Sequence, residues 1–265
     1  MTAAVGTFTE EKVQVGEVSL ALLKGGRGQP TLVLHGIEGD EGWLAFHEAL
    51  ATSATVYAPS HPGYGRTNCP EWLNKIEHQA VFYNWFLQEA GLDSVDVVGI
   101  GLGGWIAAEM AIQCTDRMRN LVLVSPAGIL PREGEVYDVF VESWKNVIER
   151  SFFDHESSPD YLRVYGANFV PQFGGIREAG RVMSTILAYR PYMYDPALPG
   201  MLGKIRVPTL VVLGDTDRIM PRECGERYQQ GIPGARLTTL ERCGHWAHMD
   251  KPEALADAIR TFVTR

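Results

Sequence analysis

No stretch of this chain approaches 18 consecutive apolar residues, so a membrane-spanning helix is not expected. Basic runs are missing too, and the formal net charge of -8 argues against nucleic acid or an anionic membrane as partner. There are only four cysteines, Cys69, Cys114, Cys224 and Cys243, with no C-x-x-C pair and no matching histidine spacing. They suggest neither a disulfide framework nor a zinc site, and read as buried or half-buried free thiols. Met1 to Glu11 carry neither the charged nor the apolar segment of a signal peptide. The expectation is a soluble, cytoplasmic protein.

What is present is an alternation. At 265 residues and 45% apolar content, the chain has enough material for one large core. Val13 to Val15 and Val18 to Leu23 read as a hairpin, followed by strands at Thr31 to Leu34, Thr55 to Ala58, Val95 to Ile100, Leu121 to Val124, Pro208 to Leu213 and Arg236 to Leu240. Helical patterns fall at 43–51, 76–90, after Gly101, at 222–230 and at 252–263. Strands separated by helices imply a mostly parallel sheet covered on both faces. Between the sixth strand and Pro208 the alternation stops for a long, helical and aromatic segment. It is expected to lie over the C-terminal ends of the strands, where such sheets place their sites.

Glycines 99, 101, 103 and 104 break the Val95 to Ile100 strand into a helix. Gly99, Gly101 and Gly104 satisfy the dinucleotide fingerprint G-x-G-x-x-G. That reading requires a carboxylate about 20 residues on, at the end of the next strand, but Leu121 to Val124 runs into Ser125 and Pro126. Gly99 and Gly103 also fit a nucleophile elbow, in which a strained strand-to-helix turn raises its central side chain above the sheet. The centre of that turn is Gly101, which has no side chain.

Three further motifs fall at strand ends: His35-Gly36, Gly214 with Asp217, and Gly244-His245 before the last helix; Pro62 to Gly65 forms a turn between them. Together with the elbow, in this order, they resemble the α/β-hydrolase superfamily over essentially the whole chain. The helical insertion and Gly244-His245-Trp246 are most similar to hydrolases of C–C bonds in ring-cleavage products and to their esterase and lyase relatives. The resemblance implies an α/β-hydrolase fold with about eight strands. Its core would comprise 1–128 and 205–265, and 129–204 would form a lid inserted after the sixth strand. It also implies that His245 is a base, that Asp217 rather than Asp215 orients it, and that the amides of Ile37 and Leu102 form an oxyanion hole. Gly101 then marks a vacant nucleophile position.

The remaining candidates concern substrate. Tyr161, Tyr165, Phe169, Phe173, Tyr189, Tyr192 and Tyr194 make the lid aromatic, with Arg190 among them as a cation for a carboxylate or enolate. Tyr165, Arg190, Trp246 and Glu38 are taken as substrate-binding residues, although Glu38 and Asp40 also fit a solvated charge run and the aromatics the lid's own core. His35 reads as a support for its loop; His61 and His248 lie near the site loops. No cofactor and no metal are expected, the partner is a small molecule, and a homodimer is left open. A base, an orienting acid and an oxyanion hole without a nucleophile suit a lyase, an isomerase, a cofactor-free oxygenase or a hydrolase that activates water. The substrate would be a small aromatic or hydrophobic carbonyl compound. The alternatives are a serine hydrolase inactivated by a serine-to-glycine change at 101, and a ligand-binding protein without chemistry.

Overall fold

The strand runs are apolar without alternation because both faces of the sheet are covered. Leu32, Leu34, Val97, Leu121, Leu123 and Val211 point to one face, while Val33, Val98, Val122, Leu210 and Val212 point to the other. The structure, a computed structural model, describes residues 8–166 and 176–264. Its eight strands are β1 (Phe8–Val15), β2 (Val18–Gly26), β3 (Gln29–Leu34), β4 (Ala54–Pro59), β5 (Val95–Ile100), β6 (Met118–Val124), β7 (Thr209–Gly214) and β8 (Arg236–Leu240). They lie in the order β1-β2-β4-β3-β5-β6-β7-β8. The pairs β1·β2 and β2·β4 are antiparallel and the others parallel.

Helices α2 (Ile76–Glu89), α3 (Leu102–Gln113) and α8 (Arg222–Gly231) cover the first face, through Phe82, Phe86, Ile106, Met110 and Tyr228. On the second face, α1 (Ala45–Ala51) and α10 (Pro252–Val263) bring Phe46, Leu50, Leu255 and Ile259. Each fully buried side chain of this size contributes about 1.5–3 kcal/mol. Between β6 and β7 lie α4 (Trp144–Ser151), α5 (Tyr161–Tyr165), α6 (Ile176–Ala188) and α7 (Leu198–Met201). Phe169 and Phe173 fall outside the described residues. A four-residue helix, α9 (Ala247–Asp250), follows β8. Cys69 and Cys114 are exposed rather than buried; Cys224 and Cys243 are buried, and all four are free. No helix among the described residues is long and apolar enough to cross a membrane.

The chain passes from β3 outward to β4 and then returns to β5 on the opposite side of β3. That reversal opens a crevice at the C-terminal ends of β3 and β5, the usual place for a ligand in a sheet of this kind. Close backbone packing holds the crevice in shape. A Cβ on Gly103 would lie 2.2 Å from the Leu34 carbonyl oxygen and 2.5 Å from that of His35; one on Gly99 would lie 2.3 Å from the Gly103 carbonyl oxygen. Only glycine lets α3 start this close to β3. Gly103→Ala is therefore expected to cost about 3 kcal/mol or more, read as a lower urea midpoint; an unchanged midpoint would contradict the packing argument.

Candidate active site

The strand-to-helix turn centres on Gly101, with φ 52° and ψ -112°. An L side chain would be strained there and glycine is not. Backbone bonds clamp the turn: the Gly101 amide donates to the Val124 carbonyl (2.9 Å), and its own carbonyl accepts from the amides of Gly104 (3.0 Å), Ala127 (3.0 Å) and Trp105 (3.3 Å). Leu102 is the first residue of α3, so its amide points out of the positive end of the helix. Among the described residues, neither this amide nor that of Ile37 donates to a protein acceptor.

His245 approaches from the loop after β8. Its Nδ1–H donates to Asp217 Oδ2 at 2.9 Å, and a Cβ built on Gly101 would stand 3.4 Å from its Nε2. Asp217 is held by three donors, because Oδ1 also accepts the amides of Ile219 and Met220 at 2.9 Å each. Burial alone would raise this carboxyl, but the charge and hydrogen bond of His245 and the two amides hold it below its ordinary value. Burial likewise works against an imidazolium at 245, yet Asp217, with a smaller push from Glu38, lifts the ring above the usual histidine value. Asp215 does a different job: its Oδ1 accepts the Cys243 amide at 3.1 Å. Asp250, which carries no sequence signal, is buried and accepts the amides of Gly244 (2.7 Å) and Phe153 (2.8 Å) through Oδ2. It fixes the turn that carries His245 to the segment following α4.

His35 and His61 support each other. His35 Nδ1–H donates to the Gly36 carbonyl (2.8 Å) and its Nε2 accepts the His61 amide (3.0 Å). His61 Nε2–H donates to the His35 carbonyl (2.9 Å), leaving Nδ1 to accept from the Tyr83 hydroxyl (2.5 Å). Every ring nitrogen is used in the neutral form, and burial pushes His35 down to about 4 and His61 well below its ordinary value.

Glu38 is not part of a solvated run. It is buried, Oε1 accepts the Gly36 amide at 2.9 Å, and burial raises the carboxyl to about 7 against the pull of nearby amides and His245. A small cavity beside it is lined by His35, Asp40, Glu41, His47 and His248 together with apolar residues such as Leu44 and Ile100. On the other side of the Ile37 loop, a second small cavity is bounded by Ile37, Val139, Phe140, Trp144, Arg181 and Ser184.

The family model described as "Alpha/beta hydrolase family" matches residues 32–258, from β3 into α10. The chain belongs to that family. Among similar proteins is the 2-hydroxy-6-oxo-6-(2'-aminophenyl)hexa-2,4-dienoic acid hydrolase of Metapseudomonas resinovorans, 25% identical over 97% of this chain and 92% of the relative. The 2-hydroxy-6-oxo-2,4-heptadienoate hydrolase of Pseudomonas putida is 26% identical, covering 95% of each chain. Among solved structures, the 2-hydroxy-6-oxo-6-phenylhexa-2,4-dienoate hydrolase of Rhodococcus sp. strain RHA1 superposes with a TM-score of 0.82 at 20% identity, over 98% of this chain and all of that one. The α/β-hydrolase fold expected from the sequence is thus the fold of the chain.

Arg190 is exposed on the turn after α6, its guanidinium 5.7 Å from the Tyr189 ring. Arg190 and Pro191 follow the end of α6 at Ala188. Trp246 is fully buried, packed between Trp144, Phe152 and Tyr165, and joins the helices between β6 and β7 to the loop after β8. Tyr165 is buried with its hydroxyl 3.4 Å from Glu41 Oε1. A cation on α6 that lines the second cavity is Arg181, whose guanidinium lies 5.4 Å from the Trp144 ring. Helical spacing could have found it: Gly180, Ser184, Leu187 and Ala188 are all buried, and Arg181 borders that stripe.

Proposed function

We propose that this chain hydrolyses a small, hydrophobic carbonyl compound by direct addition of water, with His245 as base and without an acyl-enzyme. The observation that carries the reading is the position of His245 Nε2, 3.4 Å from the point where a side chain at 101 would begin, with its other nitrogen tied to Asp217. A base aimed at a position without a nucleophile can act on a water molecule instead, and glycine at 101 leaves the two amides in place.

Neutral His245 takes a proton from water as the oxygen bonds to the substrate carbonyl carbon, and Asp217 stabilises the imidazolium. The carbonyl oxygen gains charge and accepts from the Ile37 and Leu102 amides, the type of donor worth about 10²–10³ in rate. Collapse restores the carbonyl and expels the leaving group with a proton. The base must be neutral, so activity falls as pH drops through the raised value of His245.

The relatives' names support the substrate class, a keto acid with an unsaturated or aryl arm. Ile37, Val139, Phe140 and Trp144 suit the apolar arm, and Arg181 suits the acid. The test follows turnover of 2-hydroxy-6-oxo-6-phenylhexa-2,4-dienoate in ¹⁸O-labelled water, with intact-protein mass measured during the steady state. Expected are an acid fragment with one labelled oxygen and a protein of unchanged mass. An acylated protein, or a product isomeric with the substrate, would overturn the reading.

A further inference from the structure

The carboxyl of Glu38 has one oxygen accounted for and one not. Oε1 accepts the Gly36 amide and lies 3.4 Å from His248 Nε2, whereas Oε2 is buried and has no hydrogen-bond partner among the described residues. An unpartnered buried oxygen costs about 1–3 kcal/mol. A carboxyl kept only to tie down the Gly36 amide needs just the first oxygen.

The second oxygen is placed by two missing side chains. A Cβ on Gly36 would sit 2.4 Å from Oε2, so only glycine at 36 admits the carboxyl in this position. The Gly36 Cα in turn lies 3.8 Å from the Cβ position at 101, the same point that His245 Nε2 faces from 3.4 Å. Gly36 therefore lies against both the carboxyl and the point that His245 faces, and carboxyl and imidazole act electrostatically on each other.

We propose that Glu38 is a second catalytic residue, whose free Oε2 bears the proton delivered to the leaving group. The step rests on the water-addition reading above. Water gives one proton to His245 Nε2 and its oxygen bonds to the carbonyl carbon. The bond to the leaving group then breaks, its electron pair stays with the departing atom, and that atom takes the proton from Glu38 Oε2. The imidazolium proton passes to the Glu38 carboxylate, restoring a neutral base and a neutral acid. Atoms and charge balance with water as the sole co-reactant.

The productive state has His245 neutral and Glu38 protonated, and the two titrations belong to the pair. Groups facing Glu38 leave this arrangement intact. His35, His47 and His248 are buried and pushed down to about 4, 4 and 3, so they stay uncharged; the hydroxyls of Tyr64 and Tyr165 are pushed above their ordinary range. Asp40 lines the adjoining cavity, and Glu41 is paired with Arg177 at 2.8 Å.

The experiment is the pH–rate profile of Glu38→Gln with 2-hydroxy-6-oxo-6-phenylhexa-2,4-dienoate, beside wild type and His245→Ala. Glutamine keeps the oxygen that accepts from Gly36 but cannot deliver a proton. The expected result is a fall in kcat of about 100-fold or more, with the alkaline limb of the bell lost. Wild-type kcat with both limbs kept in Glu38→Gln, while His245→Ala falls by about 10³-fold, overturns the role of Glu38 alone. Full turnover in His245→Ala overturns the water-addition mechanism beneath it. If Glu38→Gln does not fold, ¹³C-carboxyl-labelled glutamates in wild type and His245→Gln decide. A carboxyl titrating near neutrality and moving upward once the opposing histidine charge is gone supports the proposal. No such movement overturns it; Glu109, also raised to about 7, does not face His245 and stays in place.

Discussion

Replacing His245 with alanine is expected to lower kcat by about 10³-fold while leaving KM little changed. On the water-addition reading the imidazole takes the proton only as the transition state forms, so its loss removes no ground-state contact with substrate. The Ile37 and Leu102 amides remain, and an oxyanion hole with its binding pocket retains about 10³–10⁴ over water in other hydrolases stripped of their triads. Steady-state kinetics across pH check both points: the acid limb set by His245 should vanish with the side chain. A variant that kept wild-type kcat would remove His245 from the chemistry.

The same substitution has a signed effect on stability. His245 is raised in the folded chain, so its pairing contributes fully below the ordinary histidine value near 6.5 and is lost as pH rises through the higher folded value. Asp217 is lowered, so its contribution is present above about 3.9 and is lost as pH falls through its folded value. The difference in Tm between wild type and His245→Ala should therefore be largest between those bounds and shrink toward alkaline pH. Asp217 keeps the Ile219 and Met220 amides, which prevents it from becoming a bare buried charge.

The strands of this fold were legible where both faces are buried, because Val, Leu and Ile fill most positions there. The first strand was read short, from Val13, because Thr9 to Lys12 are polar and solvent-facing, and what makes them a strand is the backbone ladder to β2. Helix α9 is four residues long, too short to show a period. His245 and Asp217 were legible as motif residues at strand ends, although 28 residues separate them. Charge was the poor guide. Glu38 sits in a run of acidic residues and looks solvated, yet the turn at Gly36 folds it inward. Arg190 was chosen for its aromatic neighbours in sequence, and the helix phase of Arg181, which lines a cavity, went unread.

Gly101→Ser should turn this chain into an enzyme that acylates. A Cβ at 101 meets His245 Nε2 at 3.4 Å, an ordinary contact, and the hydroxyl one bond further can reach hydrogen-bond distance of the base. The turn already holds the required backbone, φ 52° and ψ -112°, which glycine adopts freely and serine adopts at about 1–3 kcal/mol. For a chain of this size each kcal/mol lowers Tm by roughly 2–4 °C, so the variant should melt several degrees below wild type. An activated ester should give a burst of leaving group, and a fluorophosphonate should label the introduced hydroxyl in the variant and leave wild type unlabelled. On the water-addition reading, turnover of the natural substrate class should fall at the same time, because the new side chain takes the place of the attacking water. Glycine at 101 then removes strain and a nucleophile together, and the variant separates the two effects. If Gly101→Ser folds and melts as expected but never acylates, the amides of Ile37 and Leu102 do not form an oxyanion hole, and the assignment of the crevice as a hydrolytic site fails with them.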